Sequence, residues 1–241
     1  MSFKKAAVLA CALFAAGASL TNAQARDVLR VGTEPTFAPF EFLDTKTKEF
    51  AGFDIDLIRA VADKAGYDVQ ILNMGFDALL PALMTDTIDV VASGMSITPE
   101  RAERVDFTKP YYKTGLSMLV RKSDAEKYTQ FSHLEGRPIA VQIGTTGADK
   151  AKSIKDAKVT AFNTTSDAFM ALSTGSADAV ILDRPVIGYF LKSQPTMEDA
   201  ASFGFAVKKG NTALLEKLNK AYDELEASGE AKKIFDKWFA E

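Results

Sequence analysis

The chain has 241 residues, of which 47% are hydrophobic, so it can bury a substantial core in one large domain or in two lobes. Its formal net charge of -3 gives no general attraction to nucleic acid or to anionic lipid, which argues against nucleic acid as a partner. The chain has one cysteine and one histidine, His133. A single histidine cannot form a histidine cluster for a metal, and it leaves little for serine-histidine catalysis.

The first 25 residues have the pattern of a secretory signal peptide. Lys4 and Lys5 precede an apolar run over residues 6–20, and Ala23-Gln24-Ala25 offers a small-x-small cleavage site. A membrane anchor is the alternative, but the run is shorter than the roughly 20 apolar residues that a span needs. We therefore expect cleavage after Ala25 and export to the periplasm. Cys11 would leave with the signal, so the mature chain would contain no thiol.

From Val28 onward, short apolar strands alternate with amphipathic helices, which predicts an α/β fold with mostly parallel sheets flanked by helices. Strands are predicted near residues 28–32, 68–72, 88–93, 115–121, 138–142, 158–161, 178–182 and 203–207. Helices are predicted near residues 54–66, 76–86, 99–103, 146–153, 166–174, 184–192, 211–227 and 230–239.

Two segments of the chain resemble each other. Residues 77–91 (DALLPALMTDTIDVV) match residues 167–180 (DAFMALSTGSADAV) with one gap at Pro81. The repeat predicts two related α/β lobes. The first copy is followed by Ser93-Gly94 and the second by Leu182-Asp183. Because open α/β sheets bind ligands beyond the carboxyl ends of their strands, both copies should point at a common site between the lobes.

Two charged residues are candidates for holding a zwitterion. Thr98 and Pro99 should cap and begin a helix, so Arg101 falls in its first turn, where it could bind a carboxylate with help from the Ser96 hydroxyl. A surface ion pair with a neighbouring carboxylate is the alternative. Asp183 is either a helix cap or an anion for an ammonium group. If Arg101 and Asp183 faced each other across a cleft, together they would suit an α-amino acid.

Other residues could complete such a site. The predicted strand at 138–142 runs into Gly144-Thr145-Thr146-Gly147, which either presents N–H groups to an anion or simply caps a helix. Phe37 and Phe76 could close over the aliphatic part of a ligand, although either could be a core residue. Glu34 would then reach the ligand side chain and favour a cationic or amide group. The alternative for Glu34 is a solvated loop carboxylate.

At these residues the chain resembles the polar amino acid-binding proteins of ABC importers, an extracytoplasmic solute-binding family that includes glutamine- and lysine/arginine/ornithine-binding proteins. The resemblance extends from Val28 to Phe239. It is carried by GTE with FAPFEF (residues 32–42), by GFDIDL (residues 52–57), and by SITPER with DFTKPY (residues 96–111).

This resemblance implies a periplasmic-binding-protein fold of type II, with two crossovers near residues 112–116 and 200–203. Lobe 1 would comprise residues 26–113 and 203–241, and lobe 2 residues 114–202. The protein would capture a polar L-amino acid, glutamine or a basic one, by lobe closure and deliver it to the permease of an ABC importer. The resemblance implies no cofactor, metal or catalytic residue. We expect a monomer that is not an enzyme.

The resemblance also implies ligand contacts from both lobes. The ligand carboxylate would be held by Arg101, Ser96 and Thr145. The ammonium group would be held by Asp183, Ser93 and Gly94. The side chain would be enclosed by Phe37 and Phe76, and it would be identified by Glu34, Gln142 and Thr146.

Three positions depart from the family pattern. Glu34 stands where the family more often has an aspartate. Gln142 and Leu182 stand where a glutamine-specific site would have a lysine and a histidine. The segment 193–201 is short enough to suggest that lobe 2 has lost an edge strand, which would alter closure.

Two other functions stay open. The same scaffold resembles that of cyclohexadienyl dehydratases, in which a cleft carboxylate acts as a general acid, and Glu34 is the candidate here. The other is an amino acid sensor that acts through a partner, since no transmembrane helix or signalling module precedes the end of the sequence at Glu241.

Overall fold

The computed structural model describes residues 26–192 and 198–239; the predicted signal peptide and Cys11 lie outside them. The strands, in chain order, are Asp27–Thr33 (β1), Thr36–Phe37 (β2), Glu41–Leu43 (β3), Phe50–Ala51 (β4), Tyr67–Asn73 (β5), Val90–Val91 (β6), Val105–Phe107 (β7), Tyr112–Val120 (β8), Pro138–Gln142 (β9), Lys158–Phe162 (β10), Ala179–Asp183 (β11), Glu198–Phe203 (β12) and Ala206–Lys208 (β13). The α-helices are Phe53–Ala65 (α1), Phe76–Met84 (α2), Pro99–Arg104 (α3), Thr146–Ser153 (α4), Thr165–Ser173 (α5), Arg184–Leu191 (α6), Thr212–Ser228 (α7) and Glu230–Phe239 (α8).

Two five-stranded sheets define two lobes with the same topology. The first sheet has the order β5-β1-β6-β13-β7, and the second has the order β10-β9-β11-β8-β12. In each sheet the first three strands are parallel, and the fourth is antiparallel to both of its neighbours. The two copies of the sequence repeat form the equivalent units α2–β6 and α5–β11. The sheets are thus mixed, and their central strands come from the repeat.

The C-terminal helices pack on the first lobe. Helix α7 buries Leu214, Leu218, Ala221 and Leu225, whose spacing of four, three and four residues forms one apolar stripe. This stripe faces the core that α1 also covers, and α1 packs against both α7 and α8. The chain therefore enters the second lobe at β8 and returns to the first lobe after β12.

Aromatic rings surround the two crossovers between the lobes. Strands β8 and β12 pair antiparallel and bring Tyr112 opposite Phe203. The Phe40 ring lies 4.9 Å from the Tyr112 ring and 5.0 Å from the Phe203 ring, measured between centroids, and both contacts are edge-on. Phe239 of α8 closes the cluster at 4.9 Å from Tyr112. These contacts make the hinge region continuous with the core of the first lobe.

The expected loss of an edge strand from the second lobe is wrong. Strand β12 occupies that edge and pairs with β8, with Ala201 opposite Thr114. A short segment suffices because the same strand forms both the edge of the sheet and the second crossover. Residues 193–197 lie outside the described part of the chain.

A small third sheet, β2-β3-β4, lies beside α1. The sequence does not predict it, because its strands are only two or three residues long. Gly52 joins this sheet to α1 with φ of +130°, and a Cβ there would lie 2.1 Å from the carbonyl oxygen of Phe40. The close approach lets Asp54 N–H donate to that oxygen (2.9 Å). Only glycine allows the strand and the helix to meet this closely.

Within residues 26–192 and 198–239, none of the helices has the length and apolarity needed to cross a membrane.

Candidate functional site

The site residues predicted from the sequence lie at the carboxyl ends of central strands and at the starts of helices. The first lobe supplies Glu34, Phe37, Phe76, Ser93, Gly94, Ser96 and Arg101. The second lobe supplies Gln142, Thr145, Thr146 and Asp183. All of them except the half-buried Thr146 are buried.

Hydrogen bonds between described residues join the lobes across the cleft. Arg101 Nη2 donates to the carbonyl oxygen of Gly144 (3.0 Å), and Gln142 Nε2 donates to Glu34 Oε2 (2.8 Å). The backbone N–H of Thr165 donates to Thr36 Oγ1 (3.2 Å). The described conformation is therefore one in which the lobes are closed on each other.

Arg101 is placed by the helix start that the sequence predicts. Thr98 caps α3 by accepting a hydrogen bond from the backbone N–H of Arg101 (3.2 Å), and Pro99 is the first helical residue. The guanidinium is only 9% exposed and donates through Nη1 to the Ser96 carbonyl oxygen (2.8 Å). Its Cζ lies 5.4 Å from the centroid of the Phe76 ring. Among the described residues, no ion pair joins Arg101 to a carboxylate, so the surface-pair alternative is not what the structure has.

Asp183 ends β11 and stands at the N-cap position of α6, but its carboxylate makes no capping hydrogen bond. Instead Oδ1 accepts from the hydroxyl of Thr114 (2.9 Å). Burial raises the pKa of Asp183 to about 7, while the Thr114 hydrogen bond and the charge of Arg101 act in the opposite direction. Burial likewise lowers the pKa of Arg101, and Asp183 is the largest opposing charge. Each group therefore favours the charged form of the other without a direct ion pair.

Glu34 is buried, not a solvated loop carboxylate. Both of its oxygens accept from the Thr36 hydroxyl (3.0 and 2.7 Å), and Oε2 also accepts from Gln142. Burial raises the pKa of Glu34, and the hydrogen bonds from Thr36 and Gln142 offset part of the rise. Gln142 is itself fixed because its Oε1 accepts from the Thr165 hydroxyl (3.2 Å). The amide of Gln142 is therefore held with its donor towards Glu34.

The Ser93-Gly94 turn is bonded to acidic groups behind it. Ser93 Oγ donates to Glu41 Oε1 (3.0 Å) and accepts from the backbone N–H of Glu34 (3.0 Å). Gly94 has φ of +49°, and a Cβ there would lie 2.8 Å from the Phe37 ring. Phe37 therefore packs across this turn, while its ring also belongs to the core beside Phe203 (6.4 Å between centroids).

Thr145 and Ser96 make different contacts from those that the family resemblance implies. The Thr145 hydroxyl caps α4 by accepting from the Ala148 N–H (3.1 Å), and it donates to the Gln142 carbonyl oxygen (2.8 Å). The capping alternative therefore holds for this side chain, and the backbone N–H groups at the start of α4 are what an anion could still use. Ser96 meets Arg101 through its carbonyl oxygen.

Sequence reasoning missed several partners in the site. Thr36, Thr114 and Thr165 each bond a predicted site residue, and the Gly144 carbonyl oxygen accepts from Arg101. Thr165 could have been found, because the repeat aligns it with the residue just before Phe76 at the start of α2. Thr114 gave no sequence signal, since its partner is 69 positions away.

The fold and the site geometry together define a two-lobed α/β binding protein with a buried, charged cleft. A family model agrees: the chain belongs to the bacterial extracellular solute-binding proteins, family 3, which it matches over residues 29–241.

Named relatives and solved structures support the same assignment. The chain is 35% identical to ABC transporter arginine-binding protein 1 of Escherichia coli K12, with 90% of this chain and 93% of the relative covered. It is 40% identical to an ancestral arginine-binding protein solved with arginine, at a TM-score of 0.85, covering 89% of this chain and 99% of that one. It is 38% identical to the ancestral amino acid-binding protein AncCDT-1, a precursor of cyclohexadienyl dehydratase (TM-score 0.82; coverage 88% and 95%). All three are named as amino acid-binding or arginine-binding proteins.

Proposed function

We propose that this protein captures a polar L-amino acid, with arginine preferred over glutamine, and delivers it to the permease of an ABC importer. It would do so as a monomer in the periplasm, after removal of residues 1–25, without a cofactor and without binding nucleic acid. The observation that carries the proposal is that Arg101 and the uncapped Asp183, from opposite lobes, are both buried and each acts on the pKa of the other.

The α-amino and α-carboxylate groups of a ligand would complete this pair. Arg101 would bind the carboxylate through two parallel hydrogen bonds, with help from Ser96 and the N–H groups around Thr145. Asp183 and the carbonyl oxygens of the Ser93-Gly94 turn would accept the ammonium protons. A buried carboxylate whose pKa has risen to about 7 gains most when a cation arrives beside it.

The charge of Glu34 favours a basic side chain. Once Arg101 and Asp183 are matched by the α groups, Glu34 is the acidic group left for the ligand side chain. A guanidinium would neutralise Glu34 with bidentate geometry, whereas a neutral side chain would leave a buried charge or force Glu34 to take up a proton. Phe37 and Phe76 would enclose the methylene groups, and Gln142 and Thr146 would refine the choice. The arginine-binding relatives support this order of ligands.

Lobe closure would couple binding to transport. Lobe 1, residues 26–113 and 203–241, and lobe 2, residues 114–202, would move about the crossovers near 112–116 and 200–203. A ligand that touches both lobes stabilises only the closed form, which the permease could then recognise. Arg101 and Glu34 already reach across the cleft to lobe 2, so the ligand would reinforce existing contacts.

A thermal-shift panel of the twenty amino acids tests the proposal on protein that has been unfolded and refolded to remove carried-over ligand. At a hundredfold excess over its Kd, a specific ligand should add about 2.7 kcal/mol to the free energy of unfolding. We expect the largest shift with arginine, a smaller one with glutamine, and none with sugars. If no amino acid raises the melting temperature, the proposal is wrong.

The dehydratase alternative depends on the raised pKa of Glu34, which a general acid requires. The same carboxylate is already bonded to Thr36 and Gln142, and a ligand guanidinium accounts for it without chemistry. We therefore expect no turnover of prephenate or arogenate, and product formation would favour the enzyme. Recovery of a receptor instead of a permease in pull-downs would favour the sensor.

A further inference from the structure

Two carboxyl groups lie behind the Ser93-Gly94 turn and take no part in the clamp described above. Glu41, on β3, is 1% exposed, and Asp54, in the first turn of α1, is 0% exposed. One oxygen of each accepts hydrogen bonds from the turn: Glu41 Oε1 from the Ser93 hydroxyl (3.0 Å), and Asp54 Oδ2 from the Gly94 N–H (2.8 Å). The two carboxyl groups therefore accept hydrogen bonds from successive residues of the turn.

The other two oxygens, Glu41 Oε2 and Asp54 Oδ1, are buried and have no hydrogen-bond donor among the described residues. Neither carboxyl group forms an ion pair with a lysine or arginine of this part of the chain. The titratable groups that act on Glu41 are Asp54, Glu34 and Asp183, and Tyr111 faces Asp54; all are acidic. Two buried negative charges that bind successive residues of one turn, without a cation, would be strongly unfavourable.

A single proton resolves both problems. It removes one of the two charges, and it gives one of the two unpaired oxygens a hydrogen that it can donate. It must reside on that side of the pair, because Ser93, Gly94 and Tyr111 already donate to the other oxygens. Burial and the proximity of Asp54 raise the pKa of Glu41 well above its ordinary value, and burial raises that of Asp54 to about 7.

We propose that Glu41 and Asp54 share one proton and, as a singly charged pair, position the Ser93-Gly94 turn for the ammonium group of the ligand. The peptide plane explains how. Because the Gly94 N–H points at Asp54, the Ser93 carbonyl oxygen of the same trans peptide points away from it. That carbonyl is one of the proposed ammonium acceptors. The Ser93 hydroxyl also accepts a hydrogen bond from the backbone N–H of Glu34, so the acidic pair helps to position the backbone at Glu34 as well.

The pair is also tied to the second crossover. The Tyr111 hydroxyl donates to Asp54 Oδ2 (2.6 Å), while its backbone N–H donates to the Phe203 carbonyl oxygen (3.0 Å). The segment that follows the turn meets this crossover, because the Ile97 N–H donates to the Ser202 carbonyl oxygen (2.8 Å). The turn is therefore fixed between the acidic pair and a strand of the hinge, and Glu41 and Asp54 are positioning residues.

The shared proton is tested without ligand by infrared difference spectroscopy. The spectrum of wild type minus E41Q at neutral pH should contain the carbonyl stretch of one buried protonated carboxyl group, and so should that of wild type minus D54N. E49Q, which changes an exposed glutamate in the loop after β3, should leave the band in place. If the band is missing from either difference spectrum, the two groups do not share a proton and the proposal is overturned. This result does not depend on the proposed function.

The positioning role, which rests on the proposed function, is tested by ligand affinity. E41Q and D54N each retain one negative charge and replace the shared proton with an amide N–H, so arginine should bind within about threefold of wild type. In the E41Q/D54N double variant both side chains carry amide N–H donors and neither carries a charge. We therefore expect arginine to bind about tenfold more weakly than to wild type. The loss should be confined to amines: the α-hydroxy analogue of arginine should bind wild type and the double variant alike.

Two results would overturn the positioning role. One is a loss of arginine affinity in each single variant as large as that in the double variant, because an amide N–H would then not replace the shared proton. The other is an equal loss for arginine and its α-hydroxy analogue, which indicates a general packing defect. If wild type itself binds no amino acid, the proposed function fails, while the infrared measurement still decides whether the proton is shared.

Discussion

Replacing Glu34 with glutamine should change which amino acid the cleft prefers. The substitution keeps the size of the side chain and an oxygen that can accept from the Thr36 hydroxyl, but it removes the negative charge. A basic ligand would lose its charged partner in a residue that is only 4% exposed, whereas the contacts of its α groups with Arg101 and Asp183 would stay. We therefore expect weaker binding of arginine and unchanged or stronger binding of glutamine.

The magnitude follows from the type of contact. A hydrogen bond to a charged group contributes about 1.5–3 kcal/mol, so E34Q should weaken arginine binding roughly ten- to hundredfold. The unliganded protein should not lose stability. Burial raises the folded-state pKa of Glu34, so its ionised form destabilises the fold above its ordinary pKa, and this cost is relieved as the pH falls or when glutamine replaces it.

Isothermal titration calorimetry of refolded protein with arginine and with glutamine measures both affinities. E100Q is the matched control, because it makes the same change at an exposed position next to Pro99 and should alter neither affinity. Equal weakening of both ligands by E34Q would make Glu34 a structural residue and contradict its role in ligand choice. Unchanged arginine binding in E34Q would contradict that role as well.

Other substitutions and conditions test separate parts of the site. R101A should weaken binding of every amino acid by roughly 2–5 kcal/mol with normal circular dichroism, whereas R104A, three residues along the same helix and exposed, should bind normally. Equal affinities in the two variants would mean that Arg101 does not contact the ligand. Asp183 has a raised pKa of about 7, so arginine binding should release protons and should weaken below that pH by up to about tenfold per pH unit. The unliganded protein should gain stability as the pH falls through 7, because protonation removes a buried charge. Calorimetry in two buffers of different ionisation enthalpy would detect the released protons, and a binding enthalpy that does not depend on the buffer would contradict this role of Asp183. G144A places a Cβ 3.2 Å from Asp77 of the opposite lobe at φ of +76°, and G175A creates similar strain at φ of +81° in open space. Both should lose about 1 kcal/mol of stability. Only G144A should bind less tightly, and equal affinities would show that this contact does not limit closure.

The sequence predicts the lobes and much of the cleft because the relevant signals are local. The repeat of residues 77–91 at 167–180 predicts two equivalent units, and the structure places α2–β6 and α5–β11 accordingly. Thr98 and Pro99 predict the helix start that positions Arg101, and the cap is formed as expected. Each of these features depends on neighbours in the chain, so pattern and propensity suffice.

The remaining features depend on contacts between distant parts of the chain. Glu34 and Gln142 are 108 positions apart, and nothing near either residue indicates that they bond. Glu41 and Asp54 look like ordinary polar residues beside a helix start, yet both are buried because Gly52 lets β3 and α1 approach closely. Burial of this kind is decided by packing in three dimensions, which the order of residues does not reveal.

The central claim, that Arg101 binds the ligand carboxylate, is tested most directly by comparing arginine with agmatine, which lacks that carboxylate. In wild type, agmatine should bind more weakly than arginine by roughly 2–5 kcal/mol, the usual effect of removing one partner of a buried charged pair. In R101A the two ligands should bind equally, because the group that distinguishes them is gone. If R101A still prefers arginine by the wild-type factor, the carboxylate lies elsewhere and the proposed clamp is wrong.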